Sequence, residues 1–386
     1  MSMSPQHKLC MIPGPIEVDP LVSQTMATPA TSHVSPAFIK TFGDTIRLLR
    51  TAFCSGSSSQ PFVVAGSGTL TWDMCAANLL EKGDPVLVVN TGIFGDWFGE
   101  CIGVYGGQVD MLMPEAFGDR PSLDKIKSSL EKQAATGTPH KMITITHVDT
   151  SSSVLNDVKA ISAIVKEVSP TTLIAVDGVC SIGAEEFLME EWGIDVGMTA
   201  SQKALGVPPG LGVIVVSERA LKIALERTAP ATTYFGSFKK WFPIMQKYEN
   251  GQPSYFATPP VQLIMSLHTS LTQFASDMSG RFEKHAAVSD MFKTELEKRG
   301  MKIVPVSREK AAHSLTAIYY PEGVSAGDLL PKIAAKGAVV AGGLMPGEAA
   351  KYFRVGHMGL SAVNDDLGHV KKTADAIFDA LSECKK

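Results

Sequence analysis

The chain has 386 residues, 45% of them apolar, enough for one large domain and a smaller one around ordinary packed cores. Its net charge is −4 and its lysines and arginines are spread along its length, which argues against a nucleic-acid stripe or a polybasic membrane patch. Six scattered cysteines without a C-x-x-C pair or metal spacing point to free thiols in a reduced compartment, and no apolar run reaches membrane-spanning length.

Residues 1–35 are rich in Pro, Ser and Thr and are expected to form an irregular arm. The first nine residues hold neither a signal-peptide core nor an arginine-rich amphipathic helix, and Glu383-Cys384-Lys385-Lys386 is not the Ser-Lys-Leu peroxisomal address. The cytosol is therefore the default compartment, with mitochondrion and peroxisome left open. Pro13-Gly14-Pro15 cannot be helical, and Gly14 lets a ligand approach the backbone closely.

From residue 36 to 53, Phe38, Ile39, Phe42, Ile46, Leu49 and Phe53 fall at helical spacing and mark a core-facing helix. A strand over 61–64 leads into the glycine-rich turn Ala65-Gly66-Ser67-Gly68-Thr69, which opens a helix over 70–80. N–H groups at such a helix start bind phosphate well. The dinucleotide fingerprint is incomplete, because Thr71 stands where its last glycine would be, and the P-loop lysine is missing.

Strands are expected over 85–90 and 142–146; the first is followed by Thr91-Gly92-Ile93-Phe94-Gly95, the second by His147 to Ser152. A helix follows over 159–169. Leu173 to Val176 reads as a buried strand with Asp177 at its C-terminal end, where open α/β sheets bind ligands. Strands and helices alternate from about 60 to 220, which predicts an α/β fold: a mainly parallel sheet flanked by helices. The loops 65–69, 91–95, 147–150 and 177–181 should then meet at one sheet edge.

Lys203 lies on a short connection between the β-prone 195–199 and the apolar run 212–217, just before Pro208-Pro209-Gly210. A lysine held at a strand end among apolar neighbours can have its amine pKa lowered and attack a carbonyl; taken alone it reads as an ordinary loop lysine. Paired with Asp177, it supplies the minimum for pyridoxal-phosphate chemistry: an amine for a Schiff base and an acid for the pyridine nitrogen.

Residues 231–262 crowd Tyr234, Phe235, Phe238, Trp241, Phe242, Tyr248, Tyr255 and Phe256 among glycines and prolines, an aromatic, loop-rich surface suited to an interface. A long helix over 263–300, interrupted at Gly280, leads to a smaller α+β part. Its strands are expected near 301–306, 314–320 and 338–341, and its helices near 325–336 and 365–382. The expected division is an arm (1–35), a large domain (36–275) and a small C-terminal domain (276–386). In the last, Arg354 stands in an apolar strand, where a guanidinium must be paired.

Val176-Asp177-Gly178-Val179-Cys180-Ser181 together with Ser201-Gln202-Lys203-Ala204 resembles the core of the class V, fold-type I pyridoxal-phosphate aminotransferases. Within them the chain most resembles the alanine–glyoxylate and serine–pyruvate enzymes, from Ile12-Pro13-Gly14-Pro15 to Phe353-Arg354-Val355-Gly356. The resemblance implies that Lys203 and Asp177 are catalytic and that Ser67, Gly68 and Thr69 cup the cofactor phosphate. It places Phe94 on the pyridine ring, Thr150 near the phenolic oxygen, Val179 and Gln202 in the cofactor shell, and Arg354 and Gly14 at the substrate. It also implies a homodimer with shared sites, in which Tyr255 and Thr258 reach the partner's cofactor phosphate.

The activity so implied is L-alanine plus glyoxylate giving pyruvate and glycine. Serine–pyruvate or serine–glyoxylate transamination and other class V activities are the alternatives. A non-catalytic pyridoxal-phosphate-binding protein would need an appended DNA-binding domain or a lost lysine, and neither is seen. Ser32-His33-Val34-Ser35-Pro36-Ala37 resembles a family Gly-His-x-Ser-Pro-Glu segment but departs at Ser32 and Ala37, so it is given no catalytic role.

Overall fold

The structure, a computed structural model, describes residues 7–384; the reading of the termini as free of targeting signals rests partly on residues outside that range. Seven strands form the main sheet in the spatial order 60–65, 211–216, 196–200, 173–177, 142–146, 85–89, 108–112. Leu211–Val216 runs antiparallel to both its neighbours, and the other pairings are parallel. The strands Met142–Thr146, Leu173–Asp177 and Val196–Ala200 are buried along their whole length. That is why they read as short apolar runs without alternation.

The helix Pro36–Ala52 starts at Ser35, whose hydroxyl accepts from Phe38 N–H, with Pro36 at the first helical position. Its Phe38, Phe42, Ile46 and Leu49 enter a large core that runs from Val22 to Met278. A second core gathers Phe292, Leu296, Ile318, Phe353 and Ile377 under a three-stranded sheet, 315–319, 352–356 and 341–342. Met11 belongs to this second core, and Leu9–Cys10 pairs in parallel with Ala338–Val339.

Several expectations need correction. The N-terminal arm contains a helix, Pro20–Met26, capped by Asp19. The aromatic region holds a further helix, Phe238–Glu249. Phe238 stacks on Phe62 at 4.8 Å and Tyr248 packs on Phe42 at 4.7 Å, so part of the expected interface is core, while Tyr234 and Tyr255 stay exposed. The long helix is two, Val261–Phe274 and Met278–Lys298. The break falls before Gly280, whose N–H donates at 3.0 Å to the capping Asp277; the missing Cβ there leaves room for the cap. Residues 301–306 form no strand, only a bridge from Ile303 to Ile318. Two helices, Ile93–Val104 and Leu123–Ala134, and the edge strand Gln108–Leu112 carried no expectation; that strand is largely exposed, so its apolar pattern is weak.

An ion pair between a buried carboxylate and a part-buried imidazole ties residue 185 to the segment 312–315. Glu185 accepts from the N–H groups of His313 (2.6 Å) and Ser314 (2.9 Å) and pairs with His313 Nδ1 at 2.7 Å. Burial pushes the Glu185 carboxyl up, but the hydrogen bonds and charge of His313 outweigh it and hold it down to about 2, while the His313 imidazole is raised mainly by its hydrogen bond to Glu185. A depressed carboxyl stabilises the fold above its unfolded pKa and loses that contribution as pH falls through the folded value. A raised imidazole stabilises below its unfolded pKa and loses its contribution as pH rises through the folded value. The pair is therefore expected to contribute most between about pH 4.5 and 6.5. Glu185→Ala should cost about 3–5 kcal/mol in urea unfolding at pH 6, because the imidazole and two N–H donors lose their acceptor. The loss should shrink toward pH 3; a loss independent of pH would mean that packing alone matters.

Candidate active site

Because six strands of the sheet run the same way, the loops after residues 65, 89, 146, 177 and 200 all leave at one edge. There they enclose a cleft of about 140 Å³ lined by Ser67, Gly68, Thr69 and Trp72 on one side, Phe94 and Thr150 on another, and Asp177, Val179, Gln202 and Lys203 at its base. A larger cavity, about 520 Å³, lies around Gln273, Asp277, Arg281 and Asp365, but its one lysine, Lys284, is exposed and it has no buried acid. Chemistry, not size, singles out the smaller cleft.

Each expected residue can be placed. The helix Gly68–Leu79 begins at Ser67 without a side-chain cap, so its first N–H groups are free to meet an anion. A Cβ on Gly68 would come within 2.7 Å of Val179, so this close approach requires glycine. Lys203 sits in the turn between the strands 196–200 and 211–216, and its ammonium donates to Pro13 O. Ser201 ties the ends of that turn: its hydroxyl donates to Pro208 O (2.8 Å) and accepts from Leu211 N–H (3.2 Å). From the long helix 278–298, Arg281 donates to Ala204 O and Gly183 O, both at 2.7 Å, and fixes the loop from behind. Gln202 Oε1 is buried without a partner among the described residues.

The Asp177 carboxylate is 3% exposed; Oδ1 accepts from Val179 N–H at 2.9 Å and Oδ2 from the Trp72 indole at 3.1 Å. Burial pushes its pKa up and the nearby Asp149 adds to this; the two hydrogen bonds and the Lys203 charge pull the other way, leaving it at about 6. Thr150 is buried, with its hydroxyl 3.4 Å from Cys180 Sγ. Its carbonyl accepts from Arg354 Nη1 at 3.2 Å, while Arg354 Nε donates to Gly342 O at 2.8 Å. Among the described residues no carboxylate forms an ion pair with Arg354, and burial lowers its pKa. Gly14 lies against Lys203: a Cβ there would stand 2.5 Å from Nζ, and its φ is +111°. Tyr255 and Thr258 are not brought in; both are exposed, and the Tyr255 ring lies 5.4 Å from His33.

Two residues escaped the sequence reading. Asp149, fully buried, accepts from Phe94 N–H (3.0 Å), Gly95 N–H (3.2 Å) and the Ser151 hydroxyl (2.6 Å), and so holds the first turn of the helix that carries Phe94. Trp72 holds Asp177. An acid just past a strand end was a signal for the first; Trp72, one turn into a helix, gave none.

The sequence model of the aminotransferase class V family matches residues 28–357. The chain belongs to the class V aminotransferases. An alanine–glyoxylate aminotransferase of Saccharomyces cerevisiae is 42% identical over 97% of this chain and 98% of its own length. A serine–glyoxylate aminotransferase of Methylorubrum extorquens is 28% identical over 92% of this chain and 87% of its own. The crystal structure of an alanine–glyoxylate aminotransferase from Nostoc sp. superposes with a TM-score of 0.88 at 26% identity, covering 99% of this chain and 97% of the other.

Class V aminotransferases use pyridoxal 5'-phosphate, and the cleft suits that group. It offers a primary amine, a buried acid and an uncapped helix start. Among the described residues no helix is long and apolar enough to cross a membrane, and no cluster suits a metal ion. Gly14→Ala should displace Lys203 both by the clash and by the positive φ. Titrating the variant with pyridoxal phosphate, followed by visible absorbance, should show affinity lower by roughly tenfold with an unchanged far-ultraviolet circular dichroism spectrum. Unaltered affinity would show that the arm yields.

Proposed function

We propose that this aminotransferase moves the amino group of L-alanine to glyoxylate, giving pyruvate and glycine. The observation that carries the reading is the 42% identity, over 97% of the chain, to a relative named for that pair of substrates. Bound pyridoxal phosphate supplies the electron sink that lets an amino acid give up its Cα proton.

The residues divide the remaining work. Lys203 is the attachment point, and its freed amine takes the Cα proton and later returns one. Asp177 stays ionised and keeps a proton on the cofactor's ring nitrogen. The helix start at Ser67, Gly68 and Thr69, with the side-chain N–H of Gln202 as a further donor, would hold the phosphate. Phe94 and Val179, which line the cleft, would flank the cofactor's ring, and the Thr150 hydroxyl would be its hydrogen-bond partner. Arg354 grips the substrate carboxylate: it is held by two backbone carbonyls and, among the described residues, forms no ion pair, which suits a guanidinium awaiting an anion. Gly14 leaves room at the substrate mouth. Serine is the second donor to be considered, since serine–glyoxylate relatives share the acceptor.

The test is a pair of half-reactions. L-alanine should bleach the visible band of the loaded enzyme and glyoxylate should restore it, with the specificity constant for L-serine roughly tenfold lower, as for pockets that differ by one small group. Restoration by pyruvate alone, or a preference for serine, would overturn the assignment.

The same reading makes the protein a homodimer in which Tyr255 and Thr258, exposed in the single chain, donate to the partner's cofactor phosphate. Co-refolding Lys203→Ala with Thr258→Asp should regenerate activity that neither has alone, because a mixed dimer then holds one intact site, about a quarter of all sites. Mixing that restores nothing would place the phosphate contacts within one chain.

A further inference from the structure

We propose that Trp72 is a positioning residue for the reaction: its indole N–H holds the Asp177 carboxylate ionised and correctly turned, while its ring braces Phe94. The inference rests on reading Asp177 as the partner of the cofactor's ring nitrogen.

The geometry is specific. Trp72 is 3% exposed, and its one polar atom donates to Asp177 Oδ2 at 3.1 Å. The other carboxylate oxygen takes Val179 N–H at 2.9 Å. With one donor on each oxygen, the carboxylate plane is fixed, and each oxygen keeps a lone pair for a cationic N–H. The indole cannot turn freely, because it lies parallel to Phe98 at 5.2 Å and 11° and meets the Phe94 ring edge-on at 6.4 Å and 70°. A leucine or methionine at this position would fill the space but leave Oδ2 without this donor.

Trp72 is also placed where it can couple two jobs. It stands four residues after Gly68 on the same helix, hence on the same face one turn further in. The uncapped helix start and the side chain that holds the acid are thus parts of one rigid element. A group gripped by its anion at the helix start meets an acid whose orientation is set from the same helix, which fixes both ends relative to each other.

Electrostatics set the size of the effect. Burial and Asp149 already drive Asp177 up to about 6, against the donors that favour its charged form. Loss of one donor to a charged carboxylate corresponds to a rise of about one pH unit. At pH 7 the acid would pass from about 90% ionised to about half.

Trp72→Phe keeps an aromatic ring on Phe98 and deletes only the donor. In the loaded enzyme the acid limb of kcat should move up by about one pH unit, with KM for alanine and glyoxylate within about twofold. An acid limb that stays in place would overturn the proposal. A second measurement uses the unaltered full chain freed of cofactor and serves even where the variant does not fold. Of its four indole N–H resonances, one should titrate with a midpoint near 6 and be pH-independent in Asp177→Asn. Four resonances that ignore this titration would also overturn it. Asp177→Asn separates the two levels: near-normal turnover in that variant removes the reading of Asp177 itself. Turnover lost in Asp177→Asn, with Trp72→Phe unshifted, removes only the role of Trp72.

Discussion

The direction of the strands governs the rest of the molecule. Parallel strands deliver all their C-terminal loops to one edge, and here a single antiparallel strand, 211–216, turns the chain back at that same edge. A parallel partner would need a crossover of a dozen or more residues, whereas an antiparallel one permits a short return. Lys203 owes its position to that return. It sits on a tight connection, tied by Ser201 and braced by Arg281, rather than on a long loop free to move. The uncapped helix start, Phe94, Thr150 and Asp177 reach it because their own strands end along the same line.

Gathering charge at a buried edge is costly, and the surroundings show how the cost is met. Asp149 and Asp177 are both buried, and Asp149 helps to raise the pKa of Asp177, yet each carboxylate accepts at least two hydrogen bonds. Among the described residues, the hydrogen bonds of Arg354 go to two backbone carbonyls and none goes to a carboxylate. A guanidinium in this setting is oriented but not neutralised, a state tolerable only beside solvent or a bound anion. The N-terminal segment completes the arrangement. Leu9–Cys10 pairs beside the second core, Gly356 N–H donates to Met11 O at 2.8 Å, and Gly14 then lies on Lys203. One short stretch thereby ties the Arg354 strand to the lysine turn.

The sequence expectations divide along physical lines. Strands buried on both faces were legible because continuous apolar runs bounded by Gly, Pro and polar turns leave few other choices. Asp177 and Lys203 were legible as a pair, because ligands bind at the carboxyl ends of strands in open α/β sheets and their motifs together resemble the class V core. The helix 238–249 was not, since its aromatics, its lysines and Pro243 mimic a surface loop until Phe62 and Phe42 are seen packed against them. The break in the long helix was placed at Gly280 because glycine weakens helices. The capping Asp277 decides it instead, and glycine there serves the cap.

The sequence by itself determined the α/β class, the elements that carry the loops, and the pairing of an amine with an acid, because these depend on local periodicity and residue chemistry. Only the tertiary structure decided that Trp72 grips Asp177, that Asp149 sets Phe94, and that Arg354 lacks a carboxylate partner among the described residues. Those contacts join residues up to 204 positions apart, as between Thr150 and Arg354. No local pattern encodes them; they follow from the strand order, which brings the elements side by side.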